Sequence, residues 1–388
     1  MLNEYSLMMP EKIYSGNNSL EKLKLLVMDK YKKVAVFTDR GIRGSGIVDT
    51  LFDILEECKI PIVVFDELPS EPTWMEAQKT VDAFKEESAD CIIAIGGGSV
   101  MDVAKLASIA SSGEYGVKEL LEDPLRGVKQ VPAILIPTTA GTGSEATPNS
   151  IVTVPEKNLK IGIVNPAMIA DAVILDGRAL IGLPKKIAAS TGIDALAHGI
   201  ECYTSNKANP FSNMFAMEAL KLIFNNIIPA CERQDAVEEK NNMLLAAFYA
   251  GVAITASGTT AVHALSYPLG GRYHIPHGVS NAMMLLPVLK YNKEACLKEF
   301  SEIYDEVIKK EQGLSQEEKA DLLLIEIDTI IKRLEVPLSL KAYGVSKSDL
   351  EALVHDGLEV KRLLVNNKRT VTEEAARMLY LEAMEAEG

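Results

Sequence analysis

The first half of the chain alternates short apolar runs with longer amphipathic stretches. The apolar runs are nearly continuous in Val, Ile and Ala, as is typical of strands covered on both faces, and they lie at 32–39, 60–68, 90–98 and 132–139. The stretches between them carry apolar residues at helical spacing. Strands that alternate with helices predict a parallel, doubly wound sheet, and therefore an α/β domain of the Rossmann-like, dinucleotide-binding kind.

Beyond about residue 180 the pattern becomes almost entirely helical. The sequence Gly182-Leu183-Pro184 interrupts the chain. Long helical segments follow at 211–230, 238–257 and 316–334. We therefore predict two domains, an α/β domain over residues 1–181 and an all-helical domain over residues 182–388.

The composition restricts the classes of partner. The 388-residue chain has a formal charge of −14, which argues against nucleic acid, because phosphate binding needs clustered Lys and Arg. The N-terminus has no secretory signal, and no stretch reaches the roughly 18 uncharged apolar residues that a membrane span needs. The five cysteines form no CxxC pair, which indicates reduced thiols. We expect a cytoplasmic protein that binds neither membrane nor nucleic acid.

Two loops after predicted strands have the composition of phosphate-binding turns. The strand IIAI leads into Gly96-Gly97-Gly98-Ser99 and then into a helix, whose free N–H groups and partial positive charge attract phosphate. The second loop, PTTAGTGSEAT at 137–147, offers threonine hydroxyls and flexible glycines. A tight strand-to-helix turn and a Ser/Thr turn are the structural alternatives. Because a dinucleotide has two phosphates and two riboses, the two loops together favour such a cofactor.

Asp39, at the end of the first apolar run, is a candidate for binding the adenosine ribose. A carboxylate at a strand end accepts from the ribose hydroxyls and repels a 2′-phosphate, which favours NAD over NADP. Arg40 and Arg43 lie close by and could soften this selection. The alternative role for Asp39 is a helix N-cap.

Three of the five histidines and one aspartate form a candidate metal site. Asp194 and His198 are four residues apart in TGIDALAHGIE, so a helix would place them on one face. His263 and His277 bracket the segment HALSYPLGGRYHIPH. One carboxylate and three imidazoles suit Fe²⁺, Zn²⁺ or a similar divalent metal.

Taken in order, the motifs resemble those of the iron-containing (group III) alcohol dehydrogenase family over essentially the whole chain. They are TDRG, GGGSVMDVAK, PTTAGTGSE, GIDALAHGIE and PLGG followed by PHG. The resemblance implies a dehydroquinate synthase-like architecture and a homodimer or higher homo-oligomer. It implies hydride transfer between a nicotinamide cofactor and a small alcohol or aldehyde, or a ketone, with the metal polarising the substrate oxygen.

The resemblance also implies roles for individual residues. The metal ligands it implies are Asp194, His198, His263 and His277. The cofactor-binding residues it implies are Asp39, Gly97, Gly98, Ser99, Asp102, Thr138, Thr139, Thr142 and Lys160. The family argues for Fe²⁺ as the metal, and Zn²⁺ is the alternative because it binds N/O sites more tightly.

The chain departs from the family pattern at several positions. Many members have a further histidine where this chain has Tyr267, and His274 stands three residues before His277. Tyr267 and His274 are therefore the two candidates for the catalytic proton relay. Glu71 stands where many members have asparagine near the cofactor.

Two other activities would use the same groups. A dehydroquinate-synthase-like lyase needs several Lys and Arg near the metal, where the sequence offers only Arg272, Lys185 and Lys186. A transhydrogenase would keep NAD bound and pass the hydride between two substrates. The identity of the substrate stays open, and Arg272 and His274 are candidates for binding an anionic one.

Overall fold

The computed structural model describes residues 4–157, 159–308 and 313–386, so the outermost residues of both predicted domains, 1–3 and 387–388, lie outside the described residues. The strands are β1 Lys12–Ser15, β2 Val34–Phe37, β3 Ile62–Phe65, β4 Cys91–Gly96, β5 Ala133–Pro137, β6 Asn149–Val154, β7 Leu159–Val164 and β8 Ala172–Leu175. The α-helices are α1 Leu23–Val27, α2 Gly46–Glu57, α3 Trp74–Glu87, α4 Gly98–Ala110, α5 Val117–Glu122, α6 Lys185–Thr204, α7 Pro210–Glu232, α8 Val237–Ser257, α9 Ala261–Tyr273, α10 His277–Asn292, α11 Leu297–Val307, α12 Gln316–Arg333, α13 Leu350–Glu359, α14 Lys361–Leu364 and α15 Glu373–Glu385. Short 3₁₀ turns fill several of the connections.

Six strands form one parallel sheet in the order β1-β8-β5-β4-β2-β3. Strands β2, β4 and β5 are buried along their whole length, which explains why their sequences are continuous apolar runs. The chain runs outward from β2 to β3 and then returns to β4 on the other side of β2. Doubly wound sheets bind ligands at such a change of direction, outside the carboxyl ends of the strands. The predicted fold class is confirmed.

Several strands of the α/β unit do not follow from the apolar runs. Strand β1 reads KIYS and pairs in parallel with β8, which reads AVIL. Strand β1 lies at the edge of the sheet, is only partly buried and contains Lys and Ser, so it is not an apolar run, whereas β8 is a short, fully buried apolar run that the sequence analysis did not single out. Strands β6 and β7 form a separate antiparallel hairpin, in which Thr153 pairs with Lys160.

The chain folds into two compact units, each built from more than one segment of sequence. One consists of Met8–Leu183 with Gln234–Gly251, and the other contains the chain up to Leu7, Pro184–Arg233 and the chain from Val252 onward. The second unit contains helices and no strand in its described residues. Within it, α6 packs against α7 and α10, and α10 packs against α9. The division at residues 181 and 182 stays a prediction.

Helix α7 meets the length and composition expected of a membrane span, with a mean hydropathy of 1.2. Among the described helices no other meets that test alone, although α8 and α9 meet it as a pair. Core helices of soluble proteins meet the same test, and α7 packs against α6 and α11.

Candidate functional site

Helix α6 holds Asp194 and His198 on its interior face. Both side chains are almost fully buried, with 1% and 4% exposure. The Nε2 atom of His198 lies 3.9 Å from Oδ1 of Asp194. The predicted i, i+4 arrangement is therefore present, and both polar groups lie inside the helical unit.

The other two histidines reach the same carboxylate from α9 and α10. Nε2 of His263 lies 3.5 Å and Nε2 of His277 lies 3.7 Å from Oδ1 of Asp194. Single ligand atoms of Asp194, His263 and His277 all lie within 4.8 Å of one another. Ligands about 2.1 Å from one tetrahedral ion stand about 3.4 Å apart. The donor set and the spacing of these three residues therefore fit a divalent metal, and the fourth predicted ligand, His198, faces the same oxygen of Asp194.

A backbone contact sets the approach of α10 to α6. A Cβ atom on Gly278 would lie 2.4 Å from the carbonyl oxygen of Ser190 and 2.7 Å from its carbonyl carbon. Gly278 follows His277 directly, at the start of α10, whereas Ser190 lies one turn before Asp194 on α6. The missing side chain therefore lets His277 stand beside Asp194.

The buried carboxylate of Glu201, also on α6, binds the beginning of α9. Its Oε1 accepts hydrogen bonds from the N–H groups of Thr260 (3.0 Å) and Val262 (2.9 Å), and from the Thr260 hydroxyl (2.7 Å). Its Oε2 contacts Nδ1 of His263. The sequence motifs did not single out Glu201, although it lies seven residues after Asp194 and so on the same helical face.

Asn281 of α10 is a second residue that the sequence motifs did not reveal. Its amide nitrogen donates to Oδ1 of Asp194 (2.5 Å) and lies 3.1 Å and 3.2 Å from Nε2 of His263 and His277. Its carbonyl oxygen accepts from the Ser266 hydroxyl. Asn281 thus touches three of the predicted ligands, and its spacing of four residues from His277 is the signal that could have identified it.

The charges in this cluster shift the pKa values of its members in opposite directions. Burial disfavours the charged form of Asp194, but the histidines around it, first His198, hold the pKa of its carboxyl well below the usual range. Burial also disfavours the imidazolium of His263, but the Glu201 and Asp194 carboxylates outweigh burial and raise the pKa of His263 to about 9. A divalent cation that binds here takes the place of a proton on His263.

The two candidates for the proton relay differ in burial. Tyr267 is 7% exposed, lies one helical turn after His263, and its ring centre is 6.2 Å from that of His277. His274 ends α9 in the left-handed conformation, with φ of 53°, and is exposed. Arg272, the candidate for binding an anion, forms an ion pair with Asp356 (2.5 Å).

The predicted cofactor loops lie side by side because of the strand order. The loop after β4 and the loop after β5 are neighbours, since Gly96 pairs with Pro137 at the carboxyl ends of the two strands. Strand β2, which leads to Asp39, flanks β4 on its other side. The three predicted segments therefore meet at one edge of the sheet.

The threonines of the second loop pack directly on the glycines of the first. A Cβ atom on Gly98 would lie 2.9 Å from the side chain of Thr142, and one on Gly97 would lie 3.7 Å from Oγ1 of Thr139. The amide of Thr138 donates to the carbonyl of Gly96 (3.0 Å). Helix α4 starts at Gly98, so its first N–H groups face this loop pair. This geometry fits a bound pyrophosphate.

The carboxylate of Asp102 is engaged in contacts with other residues of the protein. Its carboxylate accepts from the Ser144 hydroxyl (2.5 Å) and the amide of Ile151 (2.8 Å), and it pairs with Lys105 (3.2 Å). The fully buried Lys105 also donates to the carbonyl of Ser144 (2.9 Å). Asp102 and Lys105 therefore fasten α4 to the second loop, a role of Lys105 that no sequence motif indicated.

Asp39 has both acidic and basic residues around it. Its Oδ1 accepts from the amides of Gly41 (2.7 Å) and Ile42 (3.2 Å), which is the turn-capping alternative. The two arginines near Asp39 are engaged, because Arg40 pairs with Glu67 and Arg43 pairs with Asp66.

Lys160 reaches the first loop through Glu71. The lysine is 8% exposed, and its Nζ lies 2.8 Å from Oε1 of Glu71. The amide of Glu71 donates to the hydroxyl of Ser99 (3.0 Å). Glu71, one of the positions at which this chain departs from the family pattern, therefore links Lys160 to Ser99. Both Lys160 and Ser99 are predicted to bind the cofactor.

Comparison with known proteins assigns both halves of the chain to one family. Residues 10–177 match the family described as iron-containing alcohol dehydrogenase. Residues 188–384 match the family described as Fe-containing alcohol dehydrogenase family, C-terminal.

Individual relatives are similar over most of the chain. Long-chain-alcohol dehydrogenase 1 of Geobacillus thermodenitrificans is 32% identical over 90% of this chain and 89% of its own length. The 1,3-propanediol dehydrogenase of Klebsiella pneumoniae is 32% identical over 89% and 90%. The crystal structure of a 1,3-propanediol oxidoreductase superposes with a TM-score of 0.90 at 29% identity, over 98% of this chain and 100% of that one. A sulfoacetaldehyde reductase from Bifidobacterium kashiwanohense, in complex with NAD⁺, superposes with a TM-score of 0.87 at 26% identity over 100% of both chains.

Proposed function

Because this chain belongs to the iron-containing alcohol dehydrogenase family, and therefore transfers a hydride between a nicotinamide cofactor and an alcohol or its carbonyl product, we propose that it acts on a small neutral alcohol with NAD and Fe²⁺. The observation that carries the proposal is the convergence of three histidine Nε2 atoms on Oδ1 of Asp194, at 3.5 to 3.9 Å. When bound, the metal and the cofactor supply a Lewis acid and a hydride-accepting carbon.

Asp194, His198, His263 and His277 hold the metal. Their donor set, one carboxylate oxygen and three imidazole nitrogens, suits Fe²⁺ and also Zn²⁺. The family supports Fe²⁺. Since Zn²⁺ binds such ligands more tightly, the purified protein can carry a different metal from the one that supports turnover.

The loop pair at Gly97, Gly98, Thr139 and Thr142 holds the pyrophosphate of the cofactor. This assignment is supported by the close packing of the threonines on the glycines at the start of α4. Asp39 accepts from the adenosine ribose hydroxyls and excludes a 2′-phosphate. The preference for NAD is supported further by the pairing of Arg40 and Arg43 with acidic residues, which leaves their charges partly neutralised.

Tyr267 is the residue that relays the proton that the alcohol loses, because its hydroxyl would accept that proton while donating its own to the next acceptor on the path to solvent. It lies in the helix that carries His263, and its ring stands beside the ring of His277. His274 is exposed at the end of the same helix, so its imidazole is the weaker candidate. The hydroxyl of a tyrosine can both donate and accept, which a relay requires.

The substrate is neutral because the arginine nearest in sequence to the ligands is already paired. Asp356 lies 2.5 Å from Nε of Arg272, so a substrate anion would have to displace a carboxylate. Two relatives are named for neutral alcohols, a long-chain alcohol and 1,3-propanediol. A solved relative is named for sulfoacetaldehyde, which is anionic, so the test includes anionic compounds.

The test uses metal-stripped protein that is reloaded without oxygen with Fe²⁺ or Zn²⁺. We expect NADH to appear with neutral alcohols or diols, with Fe²⁺ more effective than Zn²⁺, and with NAD more effective than NADP. The same panel contains anionic hydroxy compounds, on which turnover should be slower. Preferred turnover of the anionic compounds would contradict the assignment of a neutral substrate.

The same experiment separates the other two activities. Tightly retained NAD with no net NADH, together with hydride exchange between a hydroxy acid and an oxo acid, would identify a transhydrogenase. No redox turnover with any metal, despite NAD binding, would favour a lyase of the dehydroquinate-synthase type. Asp194→Asn is the matched control, because it keeps the shape of the side chain and removes its charge. If this variant retained full turnover, the turnover would not depend on the metal.

The enzyme is cytoplasmic and forms a homodimer or higher homo-oligomer in this proposal. Its location is supported by the five cysteines, all of which lie within the described residues and are thiols outside any disulfide. Sedimentation of the purified protein measures the oligomeric state directly, and a monomer would refute that part of the proposal.

A further inference from the structure

The carboxylate of Glu201 has a different kind of partner on each oxygen. Oε1 accepts from the amides of Thr260 and Val262 and from the Thr260 hydroxyl, so it caps the first turn of α9. Oε2 faces Nδ1 of His263. With 1% exposure, Glu201 is cut off from solvent, and its role is decided by these protein contacts.

These contacts determine which nitrogen of His263 carries the proton when the ring is neutral. A carboxylate only accepts hydrogen bonds, so Nδ1 has to donate to Glu201. Nε2, on the other side of the ring, then keeps its lone pair and faces Oδ1 of Asp194 at 3.5 Å. Asn281 agrees with this assignment, because its amide nitrogen is a donor and lies 3.1 Å from Nε2.

We infer that Glu201 is a positioning residue that holds His263 in the tautomer whose Nε2 can bind the metal. The inference rests on the proposed metal site and adds a residue outside the four ligands. Glu201 lies on α6 with Asp194 and His198, so it also couples the orientation of the His263 ring to the helix that supplies two other ligands. Loss of a carboxylate behind a metal-bound imidazole typically weakens metal binding by about 10–100-fold.

The substitution Glu201→Gln tests the tautomer and preserves the cap. Glutamine has the same shape, and its carbonyl oxygen has to stay at the Oε1 position, because an NH₂ group there would face the donor groups of Thr260 and Val262. The NH₂ group therefore occupies the position of Oε2 and donates to Nδ1 of His263. This moves the ring proton to Nε2, where it blocks the lone pair that would bind the metal.

Two control variants separate positioning from stability. Thr260→Val removes the hydroxyl that donates a hydrogen bond to Oε1 of Glu201. It leaves the contact between Oε2 of Glu201 and His263 in place. Glu145→Gln changes the other fully buried glutamate of the described residues, which lies outside the metal cluster. Neither control should change the metal dissociation constant by more than about twofold, whatever it does to folding.

The experiment titrates Co²⁺ into the metal-free full-length protein, with visible absorption as the signal. We expect the dissociation constant of E201Q to rise about 10–100-fold, with an altered absorption spectrum at saturation because one imidazole is missing. The urea midpoint of metal-free E201Q should stay close to that of the wild type. Equal dissociation constants and equal spectra for E201Q and wild type would overturn the inference. If the wild type itself failed to bind Co²⁺, the proposed metal site would fall, and this inference with it.

A second measurement needs no altered residue. In metal-free wild-type protein labelled with nitrogen-15 at histidine, at a pH where the His263 ring is neutral, His263 should show a proton on Nδ1 and none on Nε2. A proton on Nε2 would overturn the inference even if E201Q could not be purified.

Discussion

Glu145, in the second cofactor loop, should make the stability of the α/β unit depend on pH. The side chain is 1% exposed, and within the described residues its Oε1 has no hydrogen-bond partner. Burial raises the pKa of its carboxyl from 4.5 to about 7, against the opposing effect of the buried Lys105 ammonium. The folded protein therefore binds this proton more tightly than the unfolded chain does.

The sign and the magnitude follow from linkage. Between pH 4.5 and pH 7 the folded state carries a proton that the unfolded state has lost, so the free energy of unfolding falls as the pH rises through this window and levels off above it. The interval between 4.5 and about 7 corresponds to about 3 kcal/mol. Of this, about 2 to 3 kcal/mol should be lost between about pH 5 and about pH 8.

The assay compares wild type with Glu145→Gln, whose amide does not titrate. Trp74 is the single tryptophan of the chain and lies in the same unit as Glu145, so its fluorescence during urea unfolding reports on that unit. The stability of E145Q relative to wild type should increase by about 2 to 3 kcal/mol from about pH 5 to about pH 8. Glu86→Gln, away from the buried core, should shift stability by less than about 0.5 kcal/mol at either pH. Parallel pH curves for wild type and E145Q would refute the reasoning.

Three further changes probe the metal and cofactor sites. Gly278→Ala should weaken Co²⁺ binding by at least about tenfold, because the new methyl group would press on the backbone of Ser190. The control Gly46→Ala, with nothing within 4 Å of the new carbon, should leave binding unchanged. Unchanged binding in G278A would mean that α10 shifts freely. Asp39→Ala should raise the ratio of kcat/KM for NADP to that for NAD by about tenfold or more, and a constant ratio would show that Asp39 only caps its turn. Tyr267→Phe should lower kcat by about 100-fold or more, whereas His274→Ala should change it by less than about twofold; the reverse pattern would make His274 the relay.

The sheet and the family could be predicted from the sequence because their signals are local. Strands β2, β4 and β5 are continuous apolar runs since both faces are covered, and the interrupting helices have a clear period. The family assignment is confirmed by matches to both halves of the chain. Strand β1 escaped prediction because this partly exposed edge strand contains Lys and Ser and is not an apolar run, and the short buried run of β8 was not singled out.

The candidate site was predictable only in part, because the contacts that connect the supporting residues to the ligands arise from the packing of different helices. Asp194 and His198 are recognisable as a helical pair, and the structure brings His263 and His277 to them. The pairing of Glu201 with His263, across 62 positions of sequence, depends on how two helices pack and leaves no local pattern. The ion pair between Lys160 and Glu71 is likewise a tertiary contact.

The strand order has a consequence for how the protein matures. Asp39, the loop after β4 and the loop after β5 become neighbours only when β2, β4 and β5 have paired, and these strands are separated by whole βα segments. Such distant pairings form slowly, because a long chain segment has to close before any contact compensates for its lost entropy. A dinucleotide that binds all three segments would therefore be captured only by chains in which β2, β4 and β5 have already paired. At a concentration about one hundred times its dissociation constant, a dinucleotide bound there would stabilise the folded chains by about 2.7 kcal/mol relative to the unfolded ones.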